Sequence, residues 1–380
     1  MSTEAQGSLS YVAIAQETAY DTVPAVAFTA LSLSNETLGS SATKIVSSEV
    51  RPDRTVPNAR KGNNANQGTI TSDFYLSRYT PLWNQLLGGT WTNSAAIVPG
   101  ALADQAYTIG TYVSSNNKFY LVVKGGTVVT VAPALTHTSG IVAIDGVEFL
   151  YVGANTISIY HHTLNGAATL PTGGITAEKG ILGGTSDFYD VFTGGRVDSG
   201  KLTIPKDGIV QVAWDLIFRQ LLPPATATAS TGAITTPTDE SVTSSETVIL
   251  LSGTENYDAE DGNLTITNNI EKDNYVIGSK DRRGVNPGRR ECSGALTLVF
   301  VDATEYDLFL NESTFSLAFC FRDLSGNFMK TTFNEVKFFG DPLPKISGQG
   351  TIKVSYEWQA FKRTAATDVT VELWNQNAAA

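Results

Sequence analysis

The chain has 380 residues, 42% of them hydrophobic and 17% charged, with a formal net charge of −11, 34 glycines and two cysteines. At about 100 to 200 residues per domain it has room for about two to four domains. Its many Gly, Ser, Thr, β-branched and aromatic residues favour sheets and turns, hence a mainly β fold. No apolar run approaches the roughly 20 residues that cross a bilayer, and two cysteines exclude a disulfide scaffold.

Met1 to Gln16 has neither a basic nor an apolar signal region, so neither Sec export nor membrane insertion is expected. Residues 1–30 read as an N-terminal arm. Within it, Tyr11 to Pro24 has strand patches without a nearby partner and is expected to reach onto an adjacent copy.

From here the chain repeats itself. Leu31 to Asn35, an alternating pattern ending at Asn, is answered by Leu264 to Asn268. A basic segment follows each: Arg51, Arg54, Arg60 and Lys61 in the first copy, and Lys280, Arg282, Arg283, Arg289 and Arg290 in the second. A Gly-led strand comes next, Gly68 to Leu76 and Gly294 to Val301. A short helix is predicted after each. Tyr79, Leu82, Trp83, Leu86 and Leu87 share one face of the first; Asp302 and Glu305 form a capping-box start to the second, with Tyr306, Phe309 and Leu310 as its stripe. The last match sets Gly208 to Leu216 against Gly350 to Trp358. Four matches in one order indicate a duplication.

Spacing places about 84 extra residues in the first copy, after Trp91. The predicted organisation is a first unit over 31–93 and 166–222, an inserted small β module over 94–165, a linker and connecting strand over 223–262, and a second unit over 263–380. Strand patterns at Lys118 to Val123 and Val147 to Val152, with Gly-containing turns between, mark the insert.

Chemistry-bearing residues are sparse. Cys292 and Cys320 read as buried apolar residues, and His161 and His162 as exposed loop residues. No nucleophile, phosphate-loop or zinc motif occurs, so no enzyme, cofactor or metal is expected. Asp258, Glu260 and Asp261 read as an acidic turn. The two basic windows carry a net charge of +7, leaving −18 on the rest of the chain. Such loops on an acidic body fit contact with a neighbouring copy better than a grip on nucleic acid, which needs a basic overall balance or face.

These residues resemble the tail tube (major tail) proteins of long, flexible-tailed bacteriophages. The resemblance is carried by Tyr11 to Pro24, Ser48 to Arg54, Lys61-Gly62 before the Gly68 strand, Asp187 to Gly194, Phe309 to Glu312, and Val336 onward to Gly350. The insert, through Lys124 to Thr127, His137 to Gly140, Asp145 to Val147 and Tyr151 to Gly153, is similar to a small β module grafted onto various phage virion proteins. The resemblance implies duplicated tail-tube-type β-sandwich or barrel units with short flanking helices and long loops or hairpins. It also implies a virion protein assembled in the host cytoplasm as stacked six-fold rings around a bore for DNA. The implied partners are the chain itself, the tape measure, tail terminator and tail tip proteins, and double-stranded DNA passing without tight binding. If each copy is one tube unit, three chains close a pseudo-six-fold ring; if the copies elaborate a single unit, six are needed. The first arrangement is preferred.

A DNA conduit requires walls that do not neutralise phosphate. Alternation places Val210, Val212, Trp214 and Leu216 on one face and Asp215 on the other; in the matching strand Ile352, Val354, Tyr356 and Trp358 oppose Lys353, Ser355 and Glu357. Asp73, Asp215 and Glu357 are therefore expected to face the bore. The alternative is a surface carbohydrate-binding protein using Phe119, Tyr120, Phe149 and Tyr151 of the insert as stacking platforms.

Overall fold

The computed structural model describes residues 4–50, 52, 55, 58–236, 239–345, 350–364 and 367–378. Among the described residues strands dominate, with two short α-helices, Thr80–Leu87 and Thr304–Leu310. One continuous antiparallel sheet runs through Gly39–Val46, Ala59–Asp73, Gln211–Ile217, the second half of Phe188–Ile204, Ala259–Thr267, Glu291–Val299, Lys353–Ala360 and Phe328–Phe339. The architecture is of sandwich type. Among the described residues no sheet closes into a barrel, so the barrel form of the expectation does not hold for the single chain.

The period-two pattern explains which face is inside. Val212, Trp214 and Leu216 are buried, as are Val354, Tyr356 and Trp358, while Gln211, Lys353, Ser355 and Glu357 are exposed. The apolar face contributes to a core shared by both copies, where Phe74 meets Phe321 edge to face at 5.0 Å. The hydrophobic effect therefore ties residues of 31–222 and 263–380 into one buried cluster.

The repeated strands pair in equivalent registers. Asp215 lies opposite Thr69 and Leu216 opposite Gly68; in the second copy Glu357 lies opposite Ala295 and Trp358 opposite Gly294. The next strands extend the match, with Leu216 facing Val197 and Trp358 facing Phe338. Both leading glycines sit where strands come too close for a side chain. A Cβ on Gly68 would stand 2.6 Å from the Leu38 backbone, and one on Gly294 would stand 2.1 Å from the Asn263 carbonyl oxygen. Leu264 pairs with Gly294, so its counterpart is Leu38, seven residues beyond the Leu31 suggested by pattern. Leu31 to Leu33 form no strand; their alternation is local and carries no ladder.

The first helix matches its predicted stripe, with Tyr79, Leu82, Trp83, Leu86 and Leu87 all fully buried. Trp83 meets Trp214 edge to face at 5.3 Å. Its C-terminal carbonyls, which lack partners inside the helix, accept hydrogen bonds from Asn268 Nδ2 (Leu86, 3.0 Å) and Arg290 (Leu87, 2.9 Å). The second helix differs from its prediction. Asp302 does receive the Thr304 N–H at 2.7 Å, but Glu305 accepts from Asn256, so no capping box forms. None of its residues is fully buried, and Leu310 is exposed.

The N-terminal expectation is overturned. Tyr11–Gln16 pairs antiparallel with Ile175–Ile181 and also with Thr29–Ala30, and Val12 to Ala15 are buried within their own chain. The partner lies too far along the sequence for local pattern to find. The Ala/Thr/Pro-rich linker is also pinned: Glu178, fully buried, accepts hydrogen bonds from Tyr11 Oη, Thr228 Oγ1 and the Ala229 N–H.

Within 94–165, the stretch expected as an insert, Gly100–Ala101, Tyr112–Ser115, Lys118–Lys124, Ile141–Ile144 and Val147–Ala154 form a separate sheet. Its flanking strands Thr92–Ile97 and Ile159–Asn165 pair with each other, and the latter pairs with Val369–Asn375. A second apolar cluster, including Leu121 and Leu150 of the module and Leu250, Ala318 and Phe328 of the body, holds the two together.

Candidate functional site: a polar sheet face and two basic segments

Directly opposed residues in antiparallel strands project to the same side, and alternate residues along a strand share a face. Asp215 is opposed by Ser199, Ser199 by Thr267, and Thr267 by Glu291; two steps of two along that strand reach Ala295, which opposes Glu357. Asp73, opposed by Gln211, joins the same side. The three carboxylates thus stand on one face of the continuous sheet, opposite the core. Thr69, Thr203, Thr265 and Ser293 share that side, giving a wall of hydroxyls with scattered charge.

Asp215 is half-buried and held from both sides. Thr69 Oγ1 donates to one carboxylate oxygen and Ser199 Oγ to the other at 2.6 Å. Glu357 is exposed. Three lysines share this face: Lys353 is paired with Glu260, which also binds Lys206 at 2.7 Å, Lys337 lies 3.5 Å from Glu312, and Lys201, opposite Ala213 and Thr265, is exposed. The hydrogen bonds from Lys206 and then Lys353 hold the Glu260 carboxyl below its ordinary range. Glu260 and Asp261 lie on the strand Ala259–Thr267 rather than in the acidic turn suggested by composition.

The basic residues separate into two kinds. Arg51 and Arg54 lie outside the described residues. Arg60 and Lys61 are exposed on a hairpin arm, Lys61 opposite Lys44, whose strand Gly39–Val46 is exposed from Ser40 onward. Lys280, Arg283 and Arg289 are exposed, Arg289 pairing with Glu291 at 2.7 Å. The two segments meet where the Asn64 N–H donates to the Lys280 carbonyl at 2.8 Å and Asn64 Nδ2 donates to Asp281.

Arg282 and Arg290 are not loop contacts for a neighbour. Arg282 is 2% exposed and donates to the carbonyls of Lys272, Asn66 and Phe218 at 2.9 to 3.0 Å. Arg290 forms a two-pronged bond with Asp368, at 2.9 and 2.6 Å, and donates to the carbonyls of Leu87 and Ala167. Five donors in a rigid fork suit such carbonyl clusters, which sequence charge alone does not reveal.

Other residues are placed differently from their pattern. His161 and His162 lie on a strand: His161 stacks on Trp374 at 4.3 Å, and His162 is fully buried beside Asn93 and Asn375. Phe119, Tyr120 and Phe149 are buried in the module and Tyr151 is partly buried, so they offer no stacking platform for a sugar. Cys292 and Cys320 are buried, and burial pushes both thiols up to about 12. A buried polar group absent from the sequence reading surrounds Glu17, which accepts from Thr176 Oγ1 and from the N–H groups of Gly194 and Asp21. Burial still raises its carboxyl above the ordinary value.

The described residues form a mainly β chain with an open polar sheet face and an exposed hairpin. The chain belongs to the phage tail tube protein family, whose model, described as phage tail tube protein, matches residues 7–360. It is accordingly a structural, non-enzymatic protein of the virion tail. No curated protein matches the chain.

Proposed function

We propose that three copies of this chain close into a pseudo-six-fold ring, that rings stack into a hollow tube, and that the polar face bearing Asp73, Asp215 and Glu357 lines the bore through which DNA passes. The observation that carries this reading is the equivalent placement of Asp215 and Glu357. Each sits at the same register of a repeated strand pair, on the same side of one sheet. Six such units around an axis present six equivalent acidic positions to the centre.

Function follows from the chemistry of that wall. Carboxylates repel phosphate, and Ser and Thr hydroxyls remain hydrated, so DNA meets no array of cations that would release counterions and arrest it. The salt bridge to Glu260 offsets Lys353, which leaves Lys201 as an exposed but isolated cation among the carboxylates and hydroxyls of the wall. The exposed cations of the hairpin and of the Lys280 segment are assigned to contacts with acidic surfaces of neighbouring copies. Tape measure, terminator and tail tip proteins complete the expected set of partners, with assembly in the host cytoplasm.

Negative-stain imaging with mass measurement on purified protein tests the reading. Annuli or hollow filaments built from three-chain rings are expected; six-chain rings would replace the pseudo-symmetric closure.

A further inference from the structure

The junction between the two copies inside one chain is a template for the junction between chains. In the first copy the strand Phe188–Ile204 has Gln211–Ile217 on one edge. Its other edge is taken first by Ile175–Ile181 and then by Ala259–Thr267, the opening strand of the second copy. In the second copy Phe328–Phe339 has Lys353–Ala360 on the equivalent edge and Phe315–Arg322 in the place of Ile175–Ile181. The place beyond Phe315, corresponding to that of Ala259–Thr267, has no strand among the described residues.

The strand equivalent to Ala259–Thr267 in the first copy is Gly39–Val46, since Leu38 stands to Gly68 as Leu264 stands to Gly294. Its inner edge pairs with Ala59–Asp73, and no strand among the described residues covers its outer edge. A vacant place and an uncovered strand of matching register therefore lie at opposite ends of one sheet. Unpaired strand edges are templates for another chain.

We infer that Gly39–Val46 of one copy docks beside Phe339 of the next, with Ser41 opposite Phe339. The inference rests on the ring reading above and specifies its contact. The register follows by equivalence. Ser199 opposes Asp215 and Phe339 opposes Glu357, so Phe339 takes the place of Ser199. Ser199 pairs with Thr267, which itself opposes Glu291, three residues before Gly294; Ser41 opposes Ala65, three before Gly68.

The two junctions differ in strength. Inside the chain the ladder continues from Ser199 to Ile204. In the second copy the strand ends at Phe339, Gly340 turns away with φ +88°, and Pro342 and Pro344 have no N–H to donate. The junction between chains is thus a short ladder supplemented by apolar contact, consistent with Phe339 and Leu343 being about half exposed in the single chain. A ring built this way alternates long, permanent junctions with short ones formed on assembly.

The test is disulfide trapping in the full chain. Opposed strand residues lie within reach of a disulfide, and the two native cysteines are buried. Ser41→Cys with Phe339→Cys, assembled under mild oxidation, is expected to give a covalent ladder ending at a closed three-chain species. Either single variant, or Ser41→Cys with Leu343→Cys, is expected to give at least tenfold less. Hydrogen exchange on the unsubstituted protein supplies a second measurement: amides 39–42 are expected to slow at least tenfold on assembly. Rings with neither the link nor this protection would overturn the junction and leave the ring reading intact. Absence of rings from the unsubstituted protein at every concentration would overturn both, and a ladder closing at six chains would overturn the three-chain closure.

Discussion

Arg290 and Asp368 form a two-pronged ion pair within one chain, and the same guanidinium reaches the Leu87 carbonyl at the end of the first helix. One side chain thereby links the first copy's helix to the second copy's last strand region. Both partners are mostly buried, at 15% and 16% side-chain exposure. Arg290→Ala leaves a carboxylate and two carbonyls without their donor and is expected to cost about 2 to 4 kcal/mol in chemical denaturation. Arg290→Lys is expected to recover less than half, because an ammonium cannot reproduce the fork.

The same pair gives a pH dependence. Burial alone would raise the Asp368 carboxyl, but the Arg290 hydrogen bonds outweigh it and hold the group below its usual 3.8. A folded-state value below the unfolded one means stability that is present above about pH 4 and lost as pH falls through the folded value. The stability difference between the unsubstituted protein and Arg290→Ala is therefore expected to shrink below pH 4, measured by denaturation at stepped pH.

Arg282 and Arg283 are adjacent and have opposite roles. Arg282→Ala orphans buried carbonyls and is expected to cost about 2 to 3 kcal/mol while loosening residues 270–290 to hydrogen exchange. Arg283→Ala, on the exposed side, is expected to change monomer stability by less than about 0.5 kcal/mol but to weaken assembly most at low salt. Thermal melts and sedimentation at two ionic strengths separate the two effects.

Gly294→Ala is expected to cost about 3 kcal/mol, since its Cβ meets the Asn263 backbone and the Trp358 ring rather than a movable side-chain tip. Gly68→Ala is expected to behave alike, because Leu38 backbone atoms stand in the way. Thermal unfolding of both variants checks the equivalence of the two strands.

Replacing both Asp215 and Glu357 with Lys is expected to leave rings intact and slow genome delivery. Each added phosphate contact should steepen the salt dependence of DNA binding by roughly 0.9 in the log–log slope. Normal infectivity and unchanged DNA retention would remove these residues from the bore.

Much of this arrangement was legible in the sequence because period-two alternation is a direct readout of burial. Trp214 and Asp215, or Trp358 and Glu357, fall on their expected faces without knowledge of neighbouring strands. The first helix was readable for the same reason at period 3.6. Misreadings arose where distant contacts decide. Tyr11 finds Gly180 across most of the first unit, and Arg282 finds the Asn66 and Phe218 carbonyls, although its neighbours in sequence suggest an open basic loop. His162 was misplaced because the strand that buries it belongs to the chain's far end. The Leu31 match failed because a short alternating pattern specifies a face but not a register.

The most direct test of the central claim is the mass and shape of the particle that the purified full chain forms as concentration rises. Annuli of three chains with a central hole, stacking into hollow filaments, are expected. A compact single-chain particle at every concentration would contradict it.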